Sequence, residues 1–102
     1  MAVDQVNLPD LSGYPGGDLV HQGLLDLASG TQSVAALLVM VASPRLRALG
    51  LPLRELPQLP ISYEHALFEA IEARRPEGAH AEYNALIAKV VSFANAYRRE
   101  LN

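Results

Sequence analysis

Nine consecutive apolar residues at 34–42, Val-Ala-Ala-Leu-Leu-Val-Met-Val-Ala, constrain the fold more than any other part of the sequence. As a helix this segment would rise only about 14 Å, at about 1.5 Å per residue. The hydrocarbon core of a bilayer is about 30 Å thick, and the residues at 31–33 and 43–45 are too polar to extend the segment. A short helix that is apolar on every side is expected to lie buried inside protein.

The composition is typical of one globular domain, with 102 residues of which 50% are apolar and 19% are charged. The absence of cysteine excludes disulfides, thiolate metal sites and cysteine nucleophiles. The first residues lack the basic and apolar regions of a signal peptide. We therefore expect a soluble, cytoplasmic protein, and the excess of arginine over lysine suggests a GC-rich bacterial source.

Charge is distributed unevenly along the chain. Residues 1–44 contain four aspartates and no lysine or arginine, whereas residues 45–102 contain all eight basic residues and seven glutamates. The two halves are expected to attract each other, within one chain or between two, and the acidic half would suit a basic protein partner. The net charge of −3 argues against nucleic acid or an anionic membrane as a partner.

Apolar periodicity predicts an all-α fold with helices at about 18–29, 32–42, 45–49, 63–75 and 79–100. Residues 1–17 contain two prolines and three glycines and are expected to form an extended N-terminal arm. Residues 51–60 contain three prolines and four leucines, which predicts an extended strap that packs on the core. The prediction is one helical domain at 18–102: a compact bundle of about four main helices and one short helix. Its last two helices are expected to form an antiparallel hairpin.

Polar residues ahead of the predicted helices indicate where the helices begin. Asp18, Thr31, Ser43 and Ser62 are expected to be N-caps, because a short oxygen-bearing side chain can accept a hydrogen bond from a free backbone N–H group. Gly30 is expected to end the first helix in a left-handed conformation.

His65, Glu69 and His80 are the candidate ligand residues. His65 and Glu69 are four residues apart on one predicted helix, and His80 begins the next. An imidazole beside a carboxylate can bind a metal, so a helical bundle that binds a metal or a small molecule is one alternative function. The same spacing is that of an ordinary pair on a helix surface, which we favour, and we predict no bound metal and no cofactor.

A helix-turn-helix is a second alternative, because a short turn with a glycine separates the first two helices. A recognition helix presents polar and basic side chains to DNA, and the apolar second helix has no basic residue. No Gly-x-Ser-x-Gly sequence is present, and no lysine follows the glycine-rich stretch at 13–18. We predict no catalytic residue, which favours a role other than that of an enzyme.

The apolar helix also bears on assembly. Surrounding a helix takes about five or six neighbouring elements at spacings of about 8–10 Å, which this chain barely supplies. Either the strap and the arm cover the helix, or a second subunit does, and a symmetric dimer would cover the same patch on both copies. We therefore expect a small helical protein that acts through protein–protein interaction, as a homodimer and with another protein as a further partner. The residues expected at the interface are Leu37, Leu38, Val41, Val90 and Tyr97.

Overall fold

The computed structural model of the protein describes residues 9–53 and 55–101. The helices are α1 (Gly17–Ser29), α2 (Val34–Val41), α3 (Ser43–Ala48), α4 (Tyr63–Arg74) and α5 (Ala79–Leu101). No strand occurs among these residues, and the helices pack into one compact globule. The prediction of an all-α fold is confirmed.

The apolar helix α2 lies at the centre of the bundle and contacts all four other helices. The residues from Ala36 to Met40 are each at most 3% exposed. In the strap Leu51 is buried, and Leu53, Leu56 and Leu59 are partly buried against the same core. The structure therefore shows α2 buried by residues of its own chain, without a second subunit.

The N-terminal part of the described chain folds back instead of extending. Tyr14 N–H donates to the Leu11 carbonyl oxygen (3.1 Å), and Gly17 N–H donates to the Tyr14 carbonyl oxygen (2.9 Å). The Leu11 side chain is only 1% exposed, and Tyr14 packs edge-on against Phe93 and Tyr97. Residues 11–16 therefore form a turn that packs on α5, because apolar burial draws this segment onto that helix. Residues 1–8 lie outside the described part of the chain.

Two of the predicted helix boundaries are confirmed. The Ser62 hydroxyl accepts a hydrogen bond from His65 N–H (3.1 Å) and caps α4. Gly30 ends α1 with a φ of 81°, in the left-handed region that glycine adopts without steric cost.

Three predicted caps are wrong. Asp18 lies in the first turn of α1, because Gly16 takes a left-handed conformation and the helix already begins at Gly17. Ser43 is the first residue of α3, because only Ala42 separates that helix from α2.

The third misplaced cap is that of α2. Thr31 N–H bonds back to the Asp26 carbonyl oxygen (2.8 Å), and Gly30 N–H bonds to the Leu27 carbonyl oxygen (3.1 Å). This pair of bonds closes the end of α1 as a Schellman motif, so Thr31 still belongs to the preceding turn. Ser33 caps α2 instead, because its hydroxyl accepts from Ala36 N–H (3.1 Å).

The last two helices form the predicted hairpin across a short turn at 75–78. Phe68 of α4 packs against His80 and Tyr83 of α5, with ring centroids 4.7 Å and 6.2 Å away. Across the turn, Arg75 Nη1 lies 3.3 Å from Glu82 Oε1.

No single helix in the described residues has the length and hydropathy needed to cross a membrane. α1 and α2 reach that length and hydropathy only when they are counted together, and the chain bends by 98° between them.

Candidate functional site

The structure separates the residues expected at an interface into two groups. Leu37, Leu38 and Val90 are at most 3% exposed, so the chain's own residues cover them and a single copy does not present them to a partner. Val41 and Tyr97 are only partly buried. The surface around these two residues is therefore the part of the predicted interface that a partner can reach.

Val41 lines an open surface cleft where the end of α2 and the start of α3 meet the last turns of α5. The volume of this cleft is about 570 Å³, and its lining residues are Val41, Ala42, Pro44, Arg45, Asn95 and Arg98. We call it the Val41 cleft. Its sides come from different parts of the chain, and it combines apolar side chains with two guanidinium groups.

Arg45 and Arg98 give the Val41 cleft its positive charge. Both side chains are exposed, and they lie in the last turns of α3 and α5, where a cation complements the helix dipole. The ion pairs found within residues 9–53 and 55–101 are His65–Glu69 and Arg75–Glu82, so neither cleft arginine pairs with a described carboxylate. A guanidinium group can bind a carboxylate through two parallel hydrogen bonds, which makes the cleft chemically suited to acidic groups.

The candidate ligand residues form a pair and a separate aromatic contact. His65 Nε2 lies 3.2 Å from Glu69 Oε2, and both side chains are 59% exposed. His80 packs on Phe68. The described part of the chain contains no group of three or more His, Cys, Asp or Glu side chains that could hold a metal ion. The pair has the geometry of an ordinary contact between neighbouring turns on a helix surface.

The first two helices have the crossing of a helix-turn-helix but not its exposed surface. The 98° bend between α1 and α2 falls within the range of that motif, about 90–120°. A recognition helix must enter the major groove, yet the residues from Ala36 to Met40 are buried under neighbouring helices. The position of α2 therefore argues against this alternative.

Two exposed aspartates lie near the start of α1, one ahead of the helix and one in its first turn. Asp10 accepts hydrogen bonds from the backbone N–H (3.0 Å) and the hydroxyl (2.8 Å) of Ser12, and these bonds lower the pKa of Asp10 below its usual value of 3.8. Asp18, in the first turn of α1, is exposed and lines a groove of about 500 Å³ beside Lys89 of α5. We call Asp10 and Asp18 the N-terminal acidic surface.

Sequence reasoning missed the Val41 cleft as a site. Arg45 and Arg98 each stand alone at the end of a different helix, where a solvated cation needs no further explanation. No spacing rule connects two residues this far apart in sequence. Only the packing of α5 against α2 brings them to one cleft.

Comparisons of the chain with protein-family models, with curated proteins and with solved structures give no significant match.

Proposed function

We propose that the protein acts by binding another protein chain and that the Val41 cleft is the contact surface. One observation supports this proposal above the others: two arginines from separate helices, neither in an ion pair with a described residue, converge beside the apolar side chains of Val41 and Pro44. Protein interfaces commonly combine an apolar centre with a polar rim, and arginine is enriched among the residues that dominate binding energy.

The charge of the cleft indicates a partner segment that carries carboxylates. Complementary charge steers association and selects among partners, and the guanidinium groups of Arg45 and Arg98 match aspartate or glutamate side chains. A short acidic segment would meet only the local positive charge of the cleft. An extended polyanion such as duplex DNA would also meet the net negative charge of the chain, −3. A cytoplasmic location, the default expectation from the sequence, is part of the proposal.

The test measures binding of a short fluorescein-labelled peptide of Asp, Glu and Leu residues by fluorescence anisotropy at low salt. We expect the Arg45→Glu/Arg98→Glu variant to bind the peptide at least about tenfold more weakly than the unmodified protein, because like charges then face each other. The matched control is Arg74→Glu, which reverses an exposed charge at the end of α4 and should leave the affinity nearly unchanged.

Circular dichroism checks that each variant is folded. Equal binding by the double variant and the unmodified protein would contradict the proposal. So would equally tight binding of a peptide in which lysine replaces each Asp and Glu.

A further inference from the structure

We propose that a second copy of this chain occupies the Val41 cleft and places its N-terminal acidic surface between Arg45 and Arg98. This inference rests on the proposed function and adds the identity of the partner. It assigns the two surfaces that would meet in the homodimer expected from the sequence.

The first observation is that neither the two aspartates nor the two cleft arginines form an ion pair with a described residue. The ion pairs found among the described residues, His65–Glu69 and Arg75–Glu82, lie within the second half of the sequence. Asp26 is engaged by Ser33 and Gln22, but Asp10 and Asp18 form no ion pair with a described residue. Lys89 lines the same groove as Asp18, yet these two described side chains are not within ion-pair distance. The exposed charges of these two surfaces are therefore available for contacts between copies.

The second observation is that the N-terminal half contains no lysine or arginine, because Arg45 is the first of either type in the sequence. A partner that approaches the cleft through its residues 9–29 therefore brings the exposed carboxylates of Asp10 and Asp18, with His21 as the one basic side chain in that range. The acidic residues of α4 are less suitable, because Arg74 and Arg75 lie at the end of the same helix.

The third observation is that both surfaces border the same helix. The groove beside Asp18 includes Ala88, Lys89 and Ser92 of α5, and the Val41 cleft includes Asn95 and Arg98. The stretch from Ala88 to Arg98 rises about 15 Å. A second copy that lies along α5 can reach both surfaces, and two-fold symmetry then makes the same contact twice.

The test uses two charge-reversed variants of the full chain, Arg45→Glu/Arg98→Glu and Asp10→Lys/Asp18→Lys. The readout is the mass measured by light scattering and sedimentation velocity over a range of concentrations. We expect the unmodified protein to dimerise and each variant alone to dissociate, with a dimer dissociation constant raised about tenfold or more. We expect an equal mixture of the two variants to dimerise again, because every contact in the mixed dimer joins opposite charges.

Two controls keep the test decisive. Arg74→Glu reverses one charge at a position away from both surfaces. We expect this variant to dimerise like the unmodified protein. If Asp10→Lys/Asp18→Lys does not fold, Asp18→Lys alone replaces it, because that variant keeps the Asp10–Ser12 hydrogen bonds.

The outcomes separate this inference from the proposed function. A protein that stays monomeric at every concentration while the cleft binds the acidic peptide overturns the second copy as partner and keeps the cleft as a binding site. A dimer that neither variant weakens also overturns the inference. A cleft variant that changes neither the mass nor the binding of the peptide overturns both.

Discussion

At the scale of single residues, Gly23 shows how closely α1 and α2 pack. Gly23 is buried inside α1, and a Cβ atom there would overlap the carbonyl oxygen of Ala35 and the side chain of Val39. Alanine is about 1 kcal/mol more favourable than glycine inside a helix. The close approach of the two backbones outweighs that preference at this position.

We therefore predict that Gly23→Ala lowers the free energy of unfolding by about 1–3 kcal/mol, the usual cost of overpacking a core. Urea denaturation followed by circular dichroism measures this change. The control is Gly13→Ala, where a Cβ atom would have nothing within 4 Å and the change should stay within about 0.5 kcal/mol. A Gly23→Ala variant more stable than the unmodified protein would show that α1 and α2 do not approach in this way.

A second prediction concerns the cap of α2. Ser33→Ala should lower the free energy of unfolding by about 1–2 kcal/mol, because it removes the acceptor for Ala36 N–H and the bond to Asp26. Thr31→Ala is the comparison, since among the described residues the Thr31 hydroxyl bonds only to the Ser29 hydroxyl, at 3.1 Å. Thermal or urea unfolding measures the free energy of unfolding of both variants. A larger loss of that free energy for Thr31→Ala than for Ser33→Ala would contradict Ser33 as the N-cap of α2.

These caps show what sequence can resolve locally. Ser62 could be identified because it follows an irregular proline-rich segment and precedes a clear helical period. Thr31 and Ser33 are both good caps in the same short turn, so composition does not choose between them. The choice depends on the Schellman closure of α1, which uses Thr31 N–H. That closure could be read only from the backbone of the folded chain.

At the scale of elements, the burial of α2 was predictable but its covering was not. Nine apolar residues require burial whatever surrounds them, and the leucine spacing of the strap indicates that the strap packs on something. Sequence does not show how tightly an extended segment lies on a helix, so a symmetric dimer was the simplest expected cover. In the structure a single chain already buries α2, and Leu51 of the strap is buried in the same core. The convergence of Arg45 and Arg98 was hidden for the same reason, because it depends on how α5 lies against α2.

This covering predicts the pattern of amide exchange in dilute solution. The backbone amides of Leu38, Val39 and Met40 should exchange only through global unfolding, since these residues are at most 2% exposed. The amides in the last turn of α5, around Arg98 and Arg99, should exchange much faster because that end is exposed. Hydrogen–deuterium exchange with mass spectrometry measures both regions. Fast exchange in α2 at low concentration, with slow exchange at high concentration, would mean that a second copy completes the core.

At the scale of the whole molecule, one chain buries its own core residues, and its exposed charges are unevenly placed. The cleft arginines and the N-terminal acidic surface border the same long helix. Association of the kind proposed here would therefore depend on charge more than on apolar area, and charge interactions at a surface are weakened by dissolved ions.

We accordingly predict that the dimer weakens as sodium chloride rises from about 0.1 M to about 1 M, a change that shortens the Debye length from about 10 Å to about 3 Å. Sedimentation equilibrium at the two concentrations measures the dissociation constant, which should rise about tenfold. The Arg45→Glu/Arg98→Glu variant should show no such change in mass. A dimer that tightens with salt would indicate an apolar contact instead.

The strap is also the segment at which we expect proteases to cleave the chain. It contains no helix or strand in its described residues, and its residue Gln58 is exposed. Exposed connecting segments are preferred sites of cleavage by proteases. A single cut there would separate the segment that carries α4 and α5 from the segment that carries α2, and only side-chain packing would then hold these helices on α2. The lifetime of the folded protein in a cell would then depend on one short, proline-stiffened connector staying intact.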